Sequence, residues 1–262
     1  MFPYIIFGNI SINSYDFCNA IAPIAVLIVN LSLIRYENGL LSHWCQDICG
    51  LTGKRKRIAL FVTILWSVFL TVAQILLAVL CNRSWAMFTD TGSANYFGIL
   101  LFSPFLFGVV CFILRVDPLK QLDLYTPAYA VALIFFKLAC LCWGCCNGWP
   151  WEYGLYFIRR ERYEFPTQLL ELIVAIILAI VFLCKIKKPD QVPGSLFPKY
   201  IVLYSVIRFF TEFTRDGESV FLCLQTLHIH SILTMIVGIL ELWLLKRYGN
   251  SLHNWLKENM EK

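Results

Sequence analysis

Apolar runs long enough to cross a bilayer recur along nearly the whole 262-residue chain, and they leave few folds open. Lipid offers backbone polar groups no partner, so a spanning segment must satisfy them internally, as helices of roughly 20 apolar residues do. Such runs cover 17–36, 57–81, 96–115, 124–146, 167–186, 199–214 and 220–245, the sixth being the shortest and most charged. Composition agrees: 59% of residues are hydrophobic and only 15% charged, against about 25% charged in soluble domains. The sequence therefore predicts an all-α polytopic membrane protein of about seven transmembrane helices. It forms a single transmembrane domain over 1–262, with no repeat, low-complexity tract or linker.

Basic residues set the expected orientation. Lys54 to Arg57, Arg115 and Lys120, the lysines at 185, 187, 188 and 199, and Lys246 with Arg247 all fall on one side of the seven-span scheme. The positive-inside rule makes that side cytoplasmic, which puts the N-terminus outside and the C-terminus inside. The first ~34 residues hold no Lys or Arg, unlike a cleaved signal peptide, so the first span is expected to be kept. Arg159, Arg160 and Arg162 run against the trend, as a solvated charge run or an outer anion site. The net charge of +5 is accounted for by basic loops meeting anionic headgroups, so nucleic acid is not expected as a partner.

Inside the sixth run, PKYIVLYSVIRFFTEFTR, Tyr204, Arg208 and Glu212 recur every four residues and Arg215 follows. Helical spacing puts them on one face. A charge near the bilayer centre costs from about 3 to more than 10 kcal/mol, so an intramembrane Arg one turn from a Glu is a functional-site hypothesis. Lys137 is a second such placement, about 20 Å along its helix from Leu124 at 1.5 Å per residue. It either snorkels to an interface or faces inward; depth favours the inward reading, since the same rise sets Glu212 level with it and Glu171 nearby. Lys137, Glu171, Arg208 and Glu212 should thus gather around one polar cavity. An excess of cations there suits a substrate that carries its own negative charge, an anionic lipid or an anionic solute.

The end of the fourth run reads C-x-C-x-x-C-C over Cys140, Cys142, Cys145 and Cys146. Three readings compete. A zinc site could use this spacing only if the helix broke; a reactive thiol would draw on Lys137 to favour its thiolate; ordinary packing would use Gly144 and Gly148 for close backbone approach. Packing is the expectation, with no metal and no cofactor. His228 and His230 lie two apart on different faces of the last run and are expected to be structural.

These segments resemble the bacterial prolipoprotein diacylglyceryl transferases. Lys137 to Gly148, KLACLCWGCCNG, is similar to that family's R-x-G-C-x-x-x-G-C-C-x-G signature variant, whose commoner form is G-R-x-G-N-F-x-N-x-E-x-x-G. Phe165 to Leu172, FPTQLLEL, resembles H-P-S/T-Q-L-Y-E-A, and Tyr204 to Arg215 resembles Y-G-x-x-R-F-x-x-E-x-x-R. Leu224-Gln225 stands at a Gly-Gln, SYDF around Tyr15 at a Y-G, and Asp123 with Pro127 at a D-x-x-x-P. The resemblance implies seven helices with the N-terminus outside, in a bacterial plasma membrane. It also implies transfer of a diacylglyceryl group from phosphatidylglycerol to the lipobox cysteine thiol of a preprolipoprotein signal peptide, releasing glycerol phosphate. Carried over by position, Lys137, Arg208 and Glu212 would be catalytic, and Tyr15, Gly98, Gly144, Gly148, Glu171, Tyr204 and Arg215 would hold lipid or headgroup.

Departures from the pattern are specific. Lys137 replaces the signature arginine and gives up bidentate geometry, Ala139 replaces a glycine, and Cys145 stands where the commoner form has Glu. Both family histidines are absent, with Phe97 and Phe165 in their places. The thiol proton would then go to Glu212 or a Cys. Two other readings stay open: a non-catalytic relative that binds anionic phospholipid or a partner without turnover, and a transporter, which the lack of an inverted repeat disfavours.

Overall fold

The computed structural model describes residues 4–7, 10–35, 96–114, 118–146, 148–186, 192–217 and 224–260. The second apolar run and the Lys54 to Arg57 cluster lie outside them. In chain order the elements are strands β1 (Tyr4–Phe7) and β2 (Ile10–Asn13), helices α1 (Ser14–Arg35), α2 (Tyr96–Leu114) and α3 (Pro118–Trp143), strands β3 (Pro150–Phe157) and β4 (Arg162–Glu164), and helices α4 (Thr167–Lys185), α5 (Leu196–Glu212) and α6 (Thr226–Met260). Four stretches of the described helices are long and apolar enough to cross a membrane: Ser14–Leu33, Gln121–Trp143, Thr167–Lys185 and Leu227–Gly249.

The all-α expectation needs amending, because two antiparallel hairpins join the helices. β1 pairs with β2 from Tyr4↔Asn13 to Phe7↔Ile10, and β3 pairs with β4 through Tyr156↔Tyr163 and Phe157↔Arg162. The aromatics of PWEYGLYF favour extended backbone, and inward-pointing Phe157 and Glu164 seat the second hairpin on the bundle. Helix ends differ from the expected spans for local reasons. α3 begins early, at Pro118, whose fixed φ suits a first helical position. It stops at Trp143 because Gly144 turns left-handed (φ +74°) and its N–H closes on the Cys140 carbonyl at 2.9 Å, a common helix-ending geometry.

α3 is the central helix. Within its span 72% of residues are buried, against 22% for α6. It packs along α1 and α4, while α5 lies against α6. Small residues on α3, including Ala128, Ala130 and Ala132, let those neighbours approach closely. Outward faces are apolar: Ile24 and Ile28 on α1, Ile176, Ile177 and Ile180 on α4, Leu233 and Trp243 on α6. A water-soluble bundle would place polar residues there; hydrocarbon accepts these.

Asp123, fully buried near the start of α3, fixes where α5 begins. Its Oδ1 accepts the N–H groups of Leu196 (2.7 Å) and Phe197 (3.2 Å), and its Oδ2 accepts that of Gly194 (2.7 Å). Free donors at a helix N-terminus need an acceptor, and here one from a neighbouring helix supplies it. Asp123→Ala should lower stability by about 3 kcal/mol, with Asp123→Asn intermediate because one acceptor oxygen survives. Thermal midpoints in detergent give the check, and an alanine variant as stable as the parent would rule out the pin.

Candidate functional site

The buried face of α5 changes character along its length. Phe197, Tyr200 and Ile201 begin it as core, and Tyr204, Arg208, Thr211 and Glu212 continue the same stripe as polar groups. Helical spacing alone aligns them. α3 and α4 cover that stripe from the other side, bringing Lys137 and Glu171 to it.

Glu171 is the hub. Its Oε2 accepts from Lys137 Nζ at 2.9 Å and from Arg215 Nη2 at 3.3 Å, and its Oε1 accepts from Arg208 Nη1. Arg208 Nη2 lies 2.6 Å from Glu212 Oε2, and Arg215 Nε lies 3.4 Å from the same atom. Arg208 Nη1 also donates to Thr211 Oγ1 at 3.3 Å. All the groups of this network are buried or nearly so, Glu171 and Arg208 at 4% exposure each and Glu212 at 2%. Three cations thus surround two carboxylates, leaving one net positive charge. Desolvating five charges is unfavourable, and mutual pairing offsets it. Lys137 therefore does not snorkel; it points inward and ends on Glu171.

Beside the network is a narrow cavity lined by Leu133, Lys137, Glu171, Val174, Tyr204, Ile207, Arg208 and Thr211. One wall is apolar and the other charged, which suits a molecule with a hydrocarbon part and an anionic part. The Tyr204 ring is held edge-on by Tyr96 (centroids 5.1 Å apart) and stacked near Tyr200 (6.2 Å). Tyr96 in turn donates or accepts at the Tyr200 hydroxyl (2.8 Å).

Arg215 lies just beyond the α5 terminus. Two tight turns, with Thr214 N–H on Thr211 O and Arg215 N–H on Glu212 O, fold it back toward Glu171. Its backbone forms a bridge with Gly148. A Cβ on Gly148 would overlap the Phe165 carbonyl and sit 2.8 Å from Thr167 Oγ1, so the glycine allows a close approach of two backbones. Gln225, on the far side, donates from Nε2 to the carbonyls of Arg215 (3.4 Å) and Gly217 (3.3 Å).

Other expected site residues lie elsewhere. Tyr15, buried at the start of α1, packs with Cys18 and Ala139 rather than on the Lys137 cavity. Gly144 ends α3, and its missing side chain leaves room for the Phe157 ring. Gly98 falls in the first turn of α2; its surroundings, and the Phe97 side chain, lie outside the described residues. Phe165 is in an aromatic cluster with Trp149 (5.0 Å) and Trp151 (5.5 Å). His228 is buried between Phe209 and Phe213, its Nδ1 accepting the Gln225 N–H at 3.0 Å.

Arg159 and Arg162, in the second hairpin, are occupied. Arg159 stacks on Trp143 at 4.2 Å. Arg162 reaches Glu164 at 2.5 Å and Asp216 at 2.8 Å, and these two carboxylates, Glu164 first, raise the guanidinium above its ordinary value. Three positions escaped the sequence reading: Asp123 and Gln225, visible there only as motif positions, and Glu171 as the hub, since nothing in a linear chain says which carboxylate three cations will share.

Apolar helices whose interior holds a cation-rich ion network beside a half-apolar cavity define a helical membrane protein with a polar site within the bundle. Similarity to known proteins places it further. The chain belongs to the prolipoprotein diacylglyceryl transferase family, whose profile matches residues 4–245. It is 33% identical over 131 residues to a phosphatidylglycerol–prolipoprotein diacylglyceryl transferase of Clostridium tetani (strain Massachusetts / E88), covering 47% of this chain and 52% of that one. A second transferase of that name, numbered 2, from Clostridium perfringens (strain 13 / Type A) is 32% identical over 130 residues, covering 47% and 50%. The chain thus spans about half the length of these curated relatives.

Proposed function

We propose that this protein transfers a diacylglyceryl group from phosphatidylglycerol to a cysteine thiol of a preprolipoprotein signal peptide, in a bacterial plasma membrane. The observation that carries the reading is the convergence of Lys137, Arg208 and Arg215 on two carboxylates beside a half-apolar cavity. The network holds one net positive charge, and a phosphodiester headgroup brings one negative. Binding the headgroup would neutralise the site and let Arg208 exchange a carboxylate for a phosphate oxygen, a trade between like partners.

In the transfer, the thiol sulfur bonds to the glyceryl carbon as that carbon's bond to phosphate oxygen breaks. Glycerol phosphate leaves with the bonding electron pair, and the thiol proton must be taken up. Arg208 and Lys137 stabilise charge growing on the departing phosphate. Glu212 takes the proton, since Glu171 is saturated by three cations while Glu212 is shared by two. Arg215 and Tyr204 hold the headgroup, and Gly148 keeps Arg215 in place. Seven spans, an external N-terminus and a single domain over 1–262 complete the proposal. The relatives' names and the basic-loop pattern support it.

The test is direct: purified protein in phosphatidylglycerol vesicles, offered a lipobox peptide. A thioether-linked diacylglyceryl peptide is expected by mass spectrometry, together with free glycerol phosphate. Lipid binding without either product would show a binder rather than a transferase.

A further inference from the structure

The thiols at the end of α3 are closer than the sequence allowed for. A zinc site there required the helix to break, and it does break, at left-handed Gly144. The chain then doubles back, so that the Sγ atoms of Cys140, Cys145 and Cys146 all lie within 4.8 Å of one another. Cys142 is not among them.

Three features show that the arrangement is built. Cys146 is held at φ +60°, a conformation that a residue with a Cβ adopts only when its surroundings impose it. Gln168 of α4 donates to the Cys145 carbonyl at 2.5 Å, tying the loop to a neighbouring helix. Gly148, two residues on, is bridged to Arg215. The loop that carries two of the thiols is therefore fixed at both ends.

Spacing then decides what the trio can do. Cys140 and Cys146 sulfurs are 3.9 Å apart. A disulfide would need about 2.05 Å. Sulfurs bound at about 2.3 Å to one tetrahedral zinc lie about 3.8 Å apart, so this pair already has the separation of two zinc ligands.

We propose that Cys140, Cys145 and Cys146 form a three-thiolate site for a divalent, thiophilic metal ion, zinc in preference to harder cations. Hard cations such as magnesium or calcium are excluded by the all-sulfur donor set. The site is distinct from the Lys137–Glu171–Arg208 network and stands whether or not the transferase reading does.

Cobalt reports on it optically. Full-length protein, purified in detergent with a phosphine reductant and freed of metal, should bind one Co²⁺ with a sulfur-to-cobalt charge-transfer band that Zn²⁺ abolishes. Cys140→Ser and Cys146→Ser should each weaken Co²⁺ binding at least tenfold, and Cys184→Ser should not. X-ray absorption of the zinc-loaded parent should give three sulfurs at about 2.3 Å, a measurement that does not depend on any variant folding. No charge-transfer band, a band indifferent to Cys146→Ser, or fewer than three sulfurs around zinc would each overturn the site.

Discussion

Glu171→Gln is expected to cost about 3–5 kcal/mol of stability, the usual penalty for leaving buried charge without its partner. The substitution keeps the shape and removes one negative charge from a network in which Lys137, Arg208 and Arg215 all end on that carboxylate. The remaining Glu212 cannot serve three cations, and Lys137 and Arg208 are buried, with Arg215 nearly so. The loss should appear as a lowered thermal midpoint and a lower yield of folded protein in detergent. An added anion should partly compensate: glycerol phosphate in the buffer should raise the midpoint of the variant more than that of the parent. An unchanged midpoint would mean the cations are solvated and the hub carries no structural weight.

Arg208→Lys should lower the specificity constant for diacylglyceryl transfer by about 10²- to 10³-fold, the range found when one preorganised donor is lost from a transition state. The retained charge makes this the informative variant. Arg208 spans Glu171, Thr211 and Glu212 with two separate nitrogens, and a lysine ammonium can hold neither that fork nor a bidentate phosphate. Initial rates with a lipobox peptide in phosphatidylglycerol vesicles give the measurement. Parent-like rates in Arg208→Lys would remove the guanidinium fork from the mechanism and leave only its charge.

Much of the architecture is legible in the linear chain, because periodicity is local. The every-four spacing of Tyr204, Arg208 and Glu212 puts them on one face of any helix, and the buried stripe of α5 has that composition. A rise of 1.5 Å per residue carried Lys137 and Glu171 to similar depth, and they meet at 2.9 Å. Helix ends were less legible. α3 stops three residues before the expected 146 because Gly144 takes a left-handed turn, which among the described glycines Gly194 also takes.

Which partner each long-range contact joins was less legible. Asp123 reads as one acid near the start of an apolar run, and only packing reveals that it caps α5 across some seventy residues. Phe165, in a position where the family has a histidine, packs with Trp149 and Trp151, tryptophans that sequence treats as ordinary loop aromatics.

Hydropathy and charge spacing along the chain were enough to establish a helical membrane protein and the polar stripe of α5, and the motif segments carried the family resemblance, since each depends on residues within a few helical turns. Which carboxylate three cations share and which backbone Asp123 caps were decided only when α3, α4 and α5 packed. Those outcomes depend on distances between residues far apart in sequence, and side-chain identity alone does not set such distances.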